Sequence, residues 1–195
     1  TVPFSLRTAY TLPLGKGDWH SPPHQPQNRM TDNNKPLVCT YLYEPCRELN
    51  AKMVEFAGWQ MPVQFSGITQ EHQAVRTDVG MFDISHMGKF SFKGKNLVER
   101  LQQLVPSDLS RLQPGQAQYT VLLNPDGGII DDIIFYYQGI NRVGEERGLA
   151  IVNASTRVKD KDWIFKQLQI DRPETQPPIY FRDITQTRVL IALQG

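Results

Sequence analysis

The 195-residue sequence predicts an α+β fold in which mixed or antiparallel sheets pack against helices. Strand-like and helix-like segments follow one another as β-α-β-β-β-α-β, which is not the regular alternation of a doubly wound parallel sheet. A glycine-containing turn joins two adjacent segments rich in β-branched and aromatic residues. Hydrophobic residues make up 39% of the chain, which is enough to build a core.

The first 40 residues predict a disordered, proline-rich leader outside the fold, so the ordered region is expected to span residues 41–195. Prolines at this density disfavour helices and central strands. The segment lacks both the amphipathic, arginine-rich character of a mitochondrial transit peptide and the continuous apolar region of a signal peptide. The prolines are Pro3, Pro13, Pro22, Pro23, Pro26 and Pro36.

The first part of the ordered region predicts short helices and strands. Residues 43–52 favour a short helix, and residues 54–65 favour short strands and turns. Residues 70–77 predict a helix for which Gly80 is the expected C′ residue. Residues 89–93 alternate as a half-buried strand.

The next predicted helix has a polar cap and one apolar face. Asn96 is a residue type that caps helices, and Pro106 ends the segment. The apolar residues recur at i, i+4, i+7 and i+8, which is the spacing of one helix face. They are Leu97, Leu101, Leu104 and Val105.

The clearest local pattern is a β-hairpin. Residues 118–123 and 129–137 are strand-like and flank a turn at residues 124–128. Gly127 and Gly128 can adopt the positive φ angles that such a turn requires.

The rest of the chain predicts a strand at residues 148–152, a helix at 156–168 and a final strand at 188–193. Because the final strand ends with the chain and needs a partner, the chain is expected to be a piece of a longer protein. The buried face of the helix is predicted to carry Val158, Phe165 and Leu168.

Composition and spacing argue against several kinds of site. Lys plus Arg total 21 and Asp plus Glu total 20, so no broad basic surface for nucleic acid is expected. No apolar run reaches the roughly 18 residues of a membrane-spanning helix, so no membrane partner is expected. The soft ligand candidates fit no zinc template, so no metal site is predicted. These candidates are Cys39, Cys46, His72 and His86.

Two consecutive aspartates, Asp131 and Asp132, interrupt the apolar strand after the turn, where a charge costs free energy unless it is satisfied. Successive side chains of a strand point to opposite faces, so the two carboxylates cannot both line one pocket. If Ile130, Asp132 and Ile134 share a face, Asp132 is a lone carboxylate in an apolar wall. Tyr136 would then lie beside it and could stack on a flat ligand. Simple solvation near the turn is the alternative that the pattern leaves open.

Several motifs occur in a specific order across residues 41–195, although each is weak alone. They are Phe56–Trp59, Met61–Pro62, Glu71–His72, Ala74–Arg76, Gly80–Met87, Gly127–Asp132, Val152–Ala154 and Ala192–Gly195. In these motifs the sequence resembles the N-terminal part of the aminomethyltransferase of the glycine cleavage system, the T-protein.

The resemblance implies a fold and a reaction. T-proteins have a three-domain α+β fold around a folate cavity, and their first two domains interleave; this sequence would supply the N-terminal portion. The family releases ammonia from an aminomethyl group on the lipoylated H-protein and transfers the methylene unit to tetrahydrofolate, giving 5,10-methylenetetrahydrofolate. Tetrahydrofolate is therefore the implied co-substrate and H-protein the implied partner.

The resemblance also implies residue roles. The catalytic aspartate of the family falls on Asp132, which would stabilise positive charge or hold the protons of the folate amine. Asp131 is expected to be structural, and Asp83 and His86 are expected to hold a loop through hydrogen bonds. The positions implied to line the folate site are Met87, Tyr119, Ile134, Tyr136 and Asn153.

Other members of the superfamily provide the alternatives. A non-transferase folate-binding protein of the iron–sulfur assembly type is one, and the match at Asp132 favours the transferase over it. The folate domain of dimethylglycine or sarcosine dehydrogenases should follow a flavin domain, which residues 1–40 do not resemble. The chain is expected to be an inactive fragment that folds poorly alone. We expect a cytoplasmic location, with the mitochondrial matrix as the alternative.

Overall fold

The computed structural model describes residues 4–5, 28–30, 36–170 and 177–195. They form two compact units. The first contains the described residues up to His86 together with residues 188–195, and the second contains residues 87–187. The single predicted segment 41–195 therefore contributes to both units, and the end of the chain belongs to the first.

The described residues form short strands and helices throughout. The strands are β1 Phe4–Ser5, β2 Asn28–Met30, β3 Pro36–Cys39, β4 Lys52–Phe56, β5 Trp59–Gln64, β6 Gly80–Asp83, β7 Gly88–Gly94, β8 Ala117–Leu123, β9 Ile129–Ile140, β10 Glu146–Val152, β11 Ile179–Asp183 and β12 Ile191–Gln194. The helices are α1 Tyr43–Glu48, α2 Ile68–Thr77, α3 Leu97–Gln102 and α4 Arg157–Leu168. Within the described ranges, no helix has the length and apolar character needed to cross a membrane.

Two sheets organise the first unit. One has the strand order β1-β6-β12 and is antiparallel. The other has the order β2-β3-β5-β4, in which β3 runs parallel to β5 and the other pairs are antiparallel. The final strand β12 thus finds its partner, β6, within the described chain.

The first unit begins before the predicted boundary at residue 40. Leu37 and Cys39 are buried in β3, and the Thr40 hydroxyl donates a hydrogen bond to Asp83 Oδ2 at 2.7 Å. Pro36 is tolerated because it is the first residue of its strand. Strand β3, which precedes residue 41, is thus part of the first unit. Apart from β1 and β2, which are paired strands, residues 1–35 and their predicted disorder lie outside the described residues.

A buried glutamate holds the start of α2. Glu71 Oε1 accepts hydrogen bonds from the backbone amides of residues 65, 66 and 67, at 2.7, 2.7 and 2.9 Å. It satisfies the donors that precede the helix, as a capping side chain does. The expectation for Gly80 is wrong: instead of ending α2 it begins β6, because its backbone pairs with β12 at Gln194.

The second unit contains a five-stranded antiparallel sheet in the order β11-β7-β10-β9-β8. β8 and β9 form the predicted hairpin, and Gly127 adopts a φ of 80° in its turn. The predicted α+β class, with mixed and antiparallel sheets, is confirmed. The main core residues are Phe90, Phe92, Leu97, Leu101, Leu122, Ile133, Phe135, Val152, Ile164 and Leu168.

Some details of the second unit differ from the predictions. Val158 is exposed, because the buried face of α4 runs through Asp160, Ile164 and Leu168 at four-residue spacing. Asn96 precedes α3 with a φ of 55° and makes no side-chain capping bond. The edge strand β11 has no predicted counterpart; it directly follows two prolines, which an edge position tolerates.

Candidate functional site

Five of the six predicted site residues lie together near one end of the five-stranded sheet. Ile134 pairs directly with Tyr119 across the β8–β9 hairpin. Asp132 precedes Ile134 by two positions on β9, and Tyr136 follows it by two. Asn153 comes directly after the last residue of β10 and contacts Asp132. All five belong to the second unit.

Strand alternation places a carboxylate and aromatic rings on the face of the sheet opposite the core. Asp132, Ile134 and Tyr136 alternate with Ile133 and Phe135, which are buried in the core. Tyr136 is 38% exposed and Tyr119 is 62% exposed, so both rings are accessible to a ligand. This shared face is the one predicted for Asp132, Ile134 and Tyr136.

Ile130 does not share that face, contrary to the prediction. The register between β8 and β9 shifts at this point, because Leu122 pairs with Asp131 and Leu123 with Ile129, so that Ile130 is skipped. Ile130 instead packs against the core. A bulge of this kind redirects side chains locally. Ile134 and the two tyrosines therefore form the apolar surroundings of Asp132.

Asp132 is held by neighbouring polar groups. Asn153 Nδ2 donates a hydrogen bond to Asp132 Oδ1 at 3.0 Å. The charge of Asp132 and, to a smaller extent, burial and hydrogen bonding with that carboxylate raise the pKa of the Tyr119 phenol. Tyr119 is therefore a neutral hydrogen-bond donor at neutral pH. The arrangement orients a carboxylate beside an exposed ring.

Asp131 has a different environment from its neighbour. Its Oδ2 accepts a short hydrogen bond from the Thr156 hydroxyl, and its Oδ1 accepts one from Asn153 Nδ2 at 3.1 Å. Burial works against its charge, but the hydrogen bonds from Thr156, Asp160 and Asn153 outweigh burial and lower the pKa of Asp131. Asp131 is thus anchored to α4, which fits the structural role expected for it.

Asp160 is a member of this cluster that the sequence reasoning missed. It is fully buried on α4, and both carboxyl oxygens lack a hydrogen bond of normal geometry to the described residues. Burial, followed by hydrogen bonding with Asp131 and the charge of Asp131, raises the pKa of Asp160 to about 7. The sequence pattern that could have revealed Asp160 is its four-residue spacing from Ile164 and Leu168, which places all three residues on one face of the helix.

Met87, the sixth predicted residue, is half-buried and precedes β7 at the same end of the sheet. Its following residue, Gly88, pairs with Val152, which itself precedes Asn153. The hydrogen-bond network around Asp132 does not include Met87. Lys89 is buried, and its Nζ donates to the Met87 carbonyl at 2.9 Å.

Asp83 and His86 lie in the first unit, and Asp83 acts as a loop anchor. Its Oδ1 accepts the Ser85 amide at 2.9 Å, in addition to the Thr40 bond described above. The His86 ring packs edge-on against Phe56, with centroids 5.4 Å apart. Cys39 and Cys46 are buried and form no disulfide within the described residues, and burial together with the charge of Asp83 raises the pKa of Cys46 to about 12.

Two grooves in the second unit lie away from these residues. One, of about 530 Å³, is lined by α3 residues, the segment that follows them and Tyr137. The other, of about 650 Å³, lies beside the start of β8 and reaches Gln118. Neither groove is lined by a predicted site residue.

The arrangement around Asp132 suits a flat, amine-bearing ligand. Tyr119 and Tyr136 offer accessible aromatic surface, and Ile134 lies between them along the sheet. A carboxylate has capacity for about four hydrogen bonds, so Asp132 can accept an N–H from a ligand in addition to its protein donors. The residues therefore fit a flat ring system that carries amine groups.

Comparison with known proteins agrees with these observations. A family model described as the GCVT N-terminal domain matches residues 42–195. The aminomethyltransferase of Nostoc sp. is 60% identical over 164 residues, which cover 84% of this chain and 42% of the relative. That of Synechocystis sp. is 58% identical over 160 residues, covering 82% and 41%. The chain thus spans about two-fifths of the length of these relatives.

A solved structure supports the same relationship. The crystal structure of glycine cleavage system aminomethyltransferase T from Bartonella henselae matches with a TM-score of 0.66 and 36% identity. The match covers 82% of this chain and 41% of that one. The predicted resemblance is confirmed, and the chain belongs to the GCVT N-terminal domain family.

Proposed function

We propose that this chain carries the catalytic carboxylate of a tetrahydrofolate-dependent aminomethyltransferase of the glycine cleavage system. The reaction releases ammonia and moves the methylene unit from aminomethyl-lipoyl H-protein to tetrahydrofolate, giving 5,10-methylenetetrahydrofolate and dihydrolipoyl H-protein. Family membership and the relatives' names support this proposal. Because the chain spans 42% of the Nostoc relative, the reaction is proposed for the whole enzyme.

The single observation that carries the proposal is the lone, oriented carboxylate of Asp132 on an exposed aromatic face. Tetrahydrofolate, when bound, would supply the amine nucleophile that accepts the one-carbon unit. Tyr119, Tyr136 and Ile134 would hold its ring system against the sheet, and Met87 would add apolar contact. Placing the reactants in this way supplies a large part of the rate acceleration.

Asp132 would act on charge and protons. Its carboxylate would accept a hydrogen bond from the ligand's amine and hold that proton away from the direction of attack. The same negative charge would stabilise positive charge that develops nearby during transfer. Asn153 fixes the carboxylate through the bond at 3.0 Å, and we propose this positioning, in place of simple folate contact, as its main contribution.

The proposal has consequences for partner and location. The lipoylated H-protein would deliver the aminomethyl group, and neither nucleic acid nor a membrane enters the reaction. No metal ion is required, because the reacting groups are an amine, a thioether-like carbon and one carboxylate. We propose a bacterial cytoplasmic location, supported by the cyanobacterial source of relatives such as the Synechocystis protein.

Turnover in a chimera tests the proposal. Residues 42–195 would replace the matching segment of the Nostoc aminomethyltransferase, and formation of 5,10-methylenetetrahydrofolate from aminomethyl-lipoyl H-protein would be measured. We expect activity in this chimera and a loss of about 100-fold or more for Asp132→Asn, the scale of a lost acid–base group. Tetrahydrofolate affinity should stay within about threefold, because the amide keeps the shape and most contacts.

Asp126→Asn is the matched control, because Asp126 is an exposed aspartate in the hairpin turn before β9. It should leave turnover unchanged. Wild-type turnover in Asp132→Asn would refute the catalytic assignment. A chimera that binds tetrahydrofolate with native affinity but transfers nothing, beside an active Nostoc parent, would instead favour a non-transferase folate-binding relative.

A further inference from the structure

Behind the Asp132 face lies a buried acid pair. Asp131 on β9 and Asp160 on α4 influence each other's protonation, and Asp160 has no exposed surface. Neither Asp160 oxygen has a hydrogen bond of normal geometry to the described residues. Two ionised carboxylates cannot be accommodated together in such a place, because burial penalises each charge and the charges repel.

One side chain connects this pair to the exposed face. Asn153 Nδ2 donates to Asp131 Oδ1 at 3.1 Å and to Asp132 Oδ1 at 3.0 Å. Only the nitrogen end of the amide can make both bonds, because the oxygen end has no hydrogen to donate. A change in the position or charge of Asp131 must alter the donor that orients Asp132.

We propose that Asp131 and Asp160 share one proton beneath β9, and that this pair acts through Asn153 to position the Asp132 carboxylate. The inference rests on the catalytic role proposed for Asp132. Asp160 is a positioning residue, since it touches neither the exposed face nor a ligand there.

The shared proton explains how the buried cluster is satisfied. With one proton, the Asp160 acid faces an Asp131 carboxylate that also accepts from Thr156 and Asn153. The charged groups that act on Asp160 are Asp131 from the strand and Lys159 from its own helix. Lys159 Nζ donates to the Ile130 carbonyl at 2.7 Å, so its charge is held near the strand. Loss of the proton would add a second buried negative charge and push Asp131 away from Asn153.

Nuclear magnetic resonance of the chimera described above tests the shared proton directly. We expect the Asp160 carboxyl carbon to titrate near pH 7, and the Asn153 side-chain amide to shift with the same midpoint. Asp160→Asn should abolish that step in the Asn153 signal. Asp162→Asn, an exposed position on the same helix, should leave it unchanged. The proposal would be overturned if Asp160 titrates near its ordinary pKa of 3.8. It would also be overturned if the Asn153 amide signal does not change as Asp160 titrates.

The chimera described above tests the link to Asp132. Asp160→Leu removes the proton and should lower kcat by about 10-fold or more, since small misplacements of a reacting group are costly, with KM for tetrahydrofolate within about threefold. Asp160→Asn supplies a neutral donor of similar shape and should recover most of this loss. We also expect kcat of the parent chimera to decline as pH rises through about 7, and Asp160→Asn should remove this decline.

Different results would refute the proposed function and the positioning role of Asp160. If the unmutated chimera transfers no methylene, the proposed function fails, while the titration still decides whether the proton is shared. If Asp132→Asn is inactive but Asp160→Leu has parental kcat and pH dependence, the function stands and the positioning inference is refuted. Asp162→Asn provides the reference for both the titration of the Asn153 amide and the kcat of the chimera.

Discussion

Asn153 is the residue that joins the exposed and buried parts of the candidate site. It donates to Asp131 on the core side and to Asp132 on the exposed side, at 3.1 and 3.0 Å. The two aspartates are chemically identical neighbours, yet their surroundings differ. Asp131 is enclosed by donors from α4 and β10, whereas Asp132 retains capacity to accept from a ligand. Strand alternation creates this division of roles.

The buried acid Asp160 should make stability depend on pH. Its pKa is raised to about 7 in the folded chain, so its favourable contribution is complete below about pH 4 and is lost as pH rises to about 7. Asp131 has the opposite sign: its pKa is lowered, so its contribution is lost as pH falls into the acid range.

Asp160→Asn should therefore stabilise the chain by roughly 2 kcal/mol at about pH 8, since each pKa unit is worth ~1.4 kcal/mol and the buried amide has a desolvation cost. At about pH 4 the gain should vanish. Urea unfolding followed across this pH range measures the difference. Asp162→Asn should show no such trend, and a stabilisation of Asp160→Asn that is constant with pH would contradict the assignment.

The direction of the Asp132 side chain was predictable from the sequence, whereas the buried position of Asp160 was not, for a physical reason. The direction of Asp132 follows from local alternation along one strand, which needs no knowledge of packing. Asp160 becomes important only because α4 covers the core side of β9, a contact between residues 29 positions apart in the chain. The roles of Tyr119 and Asn153 depended on family resemblance, because strand pairing brings them to Asp132 from other strands.

At the scale of single elements, the close packing of β9 against β10 depends on a glycine. Gly148 pairs with Tyr137 beside a register shift in the β9–β10 ladder. A Cβ atom added there would lie 2.5 Å from two ring carbons of Phe135. Phe135 is fully buried in the core, so its ring has no open space into which to move.

Gly148→Ala should therefore destabilise the second unit by about 1–3 kcal/mol, the usual cost of overpacking a core. Chemical denaturation followed by circular dichroism provides the measurement. Phe135→Leu should cost more than about 1 kcal/mol alone, through a cavity, but should relieve the clash in the double variant. Strictly additive effects of the two substitutions would show that the ring and the new methyl group do not meet.

Element boundaries show where local patterns stop being sufficient. The hairpin of β8 and β9 was predictable because its turn residues carry their own backbone preferences. β11 was not, because two prolines precede it and only its pairing with β7 makes it a strand. Ile130 does not lie on the expected face of β9 for a similar reason. A bulge depends on the partner strand as well as on the sequence.

At the scale of the whole molecule, the chain builds the first unit from both of its ends. β12 pairs antiparallel with β6, matching Ile191 with Asp83 and Gln194 with Gly80. Leu190 adds further contacts: its carbonyl accepts the Ile84 amide at 3.0 Å, and its own amide donates to Ser85 Oγ at 3.0 Å. The chain therefore returns to the first unit after it has formed the second.

Deleting residues 191–195 should consequently loosen the first unit and spare the second. β6 would lose the partner on one side, so amide hydrogen exchange of Gly80–Asp83 should accelerate by about 100-fold or more, as expected when a local unit opens. Amides of β9 and β10, whose partners all lie in the second unit, should keep their protection within about threefold. Leu193→Ser, at a 65% exposed position, keeps the backbone ladder and should change little. Equal loss of protection in β6 and β10 would show that the two units unfold as one.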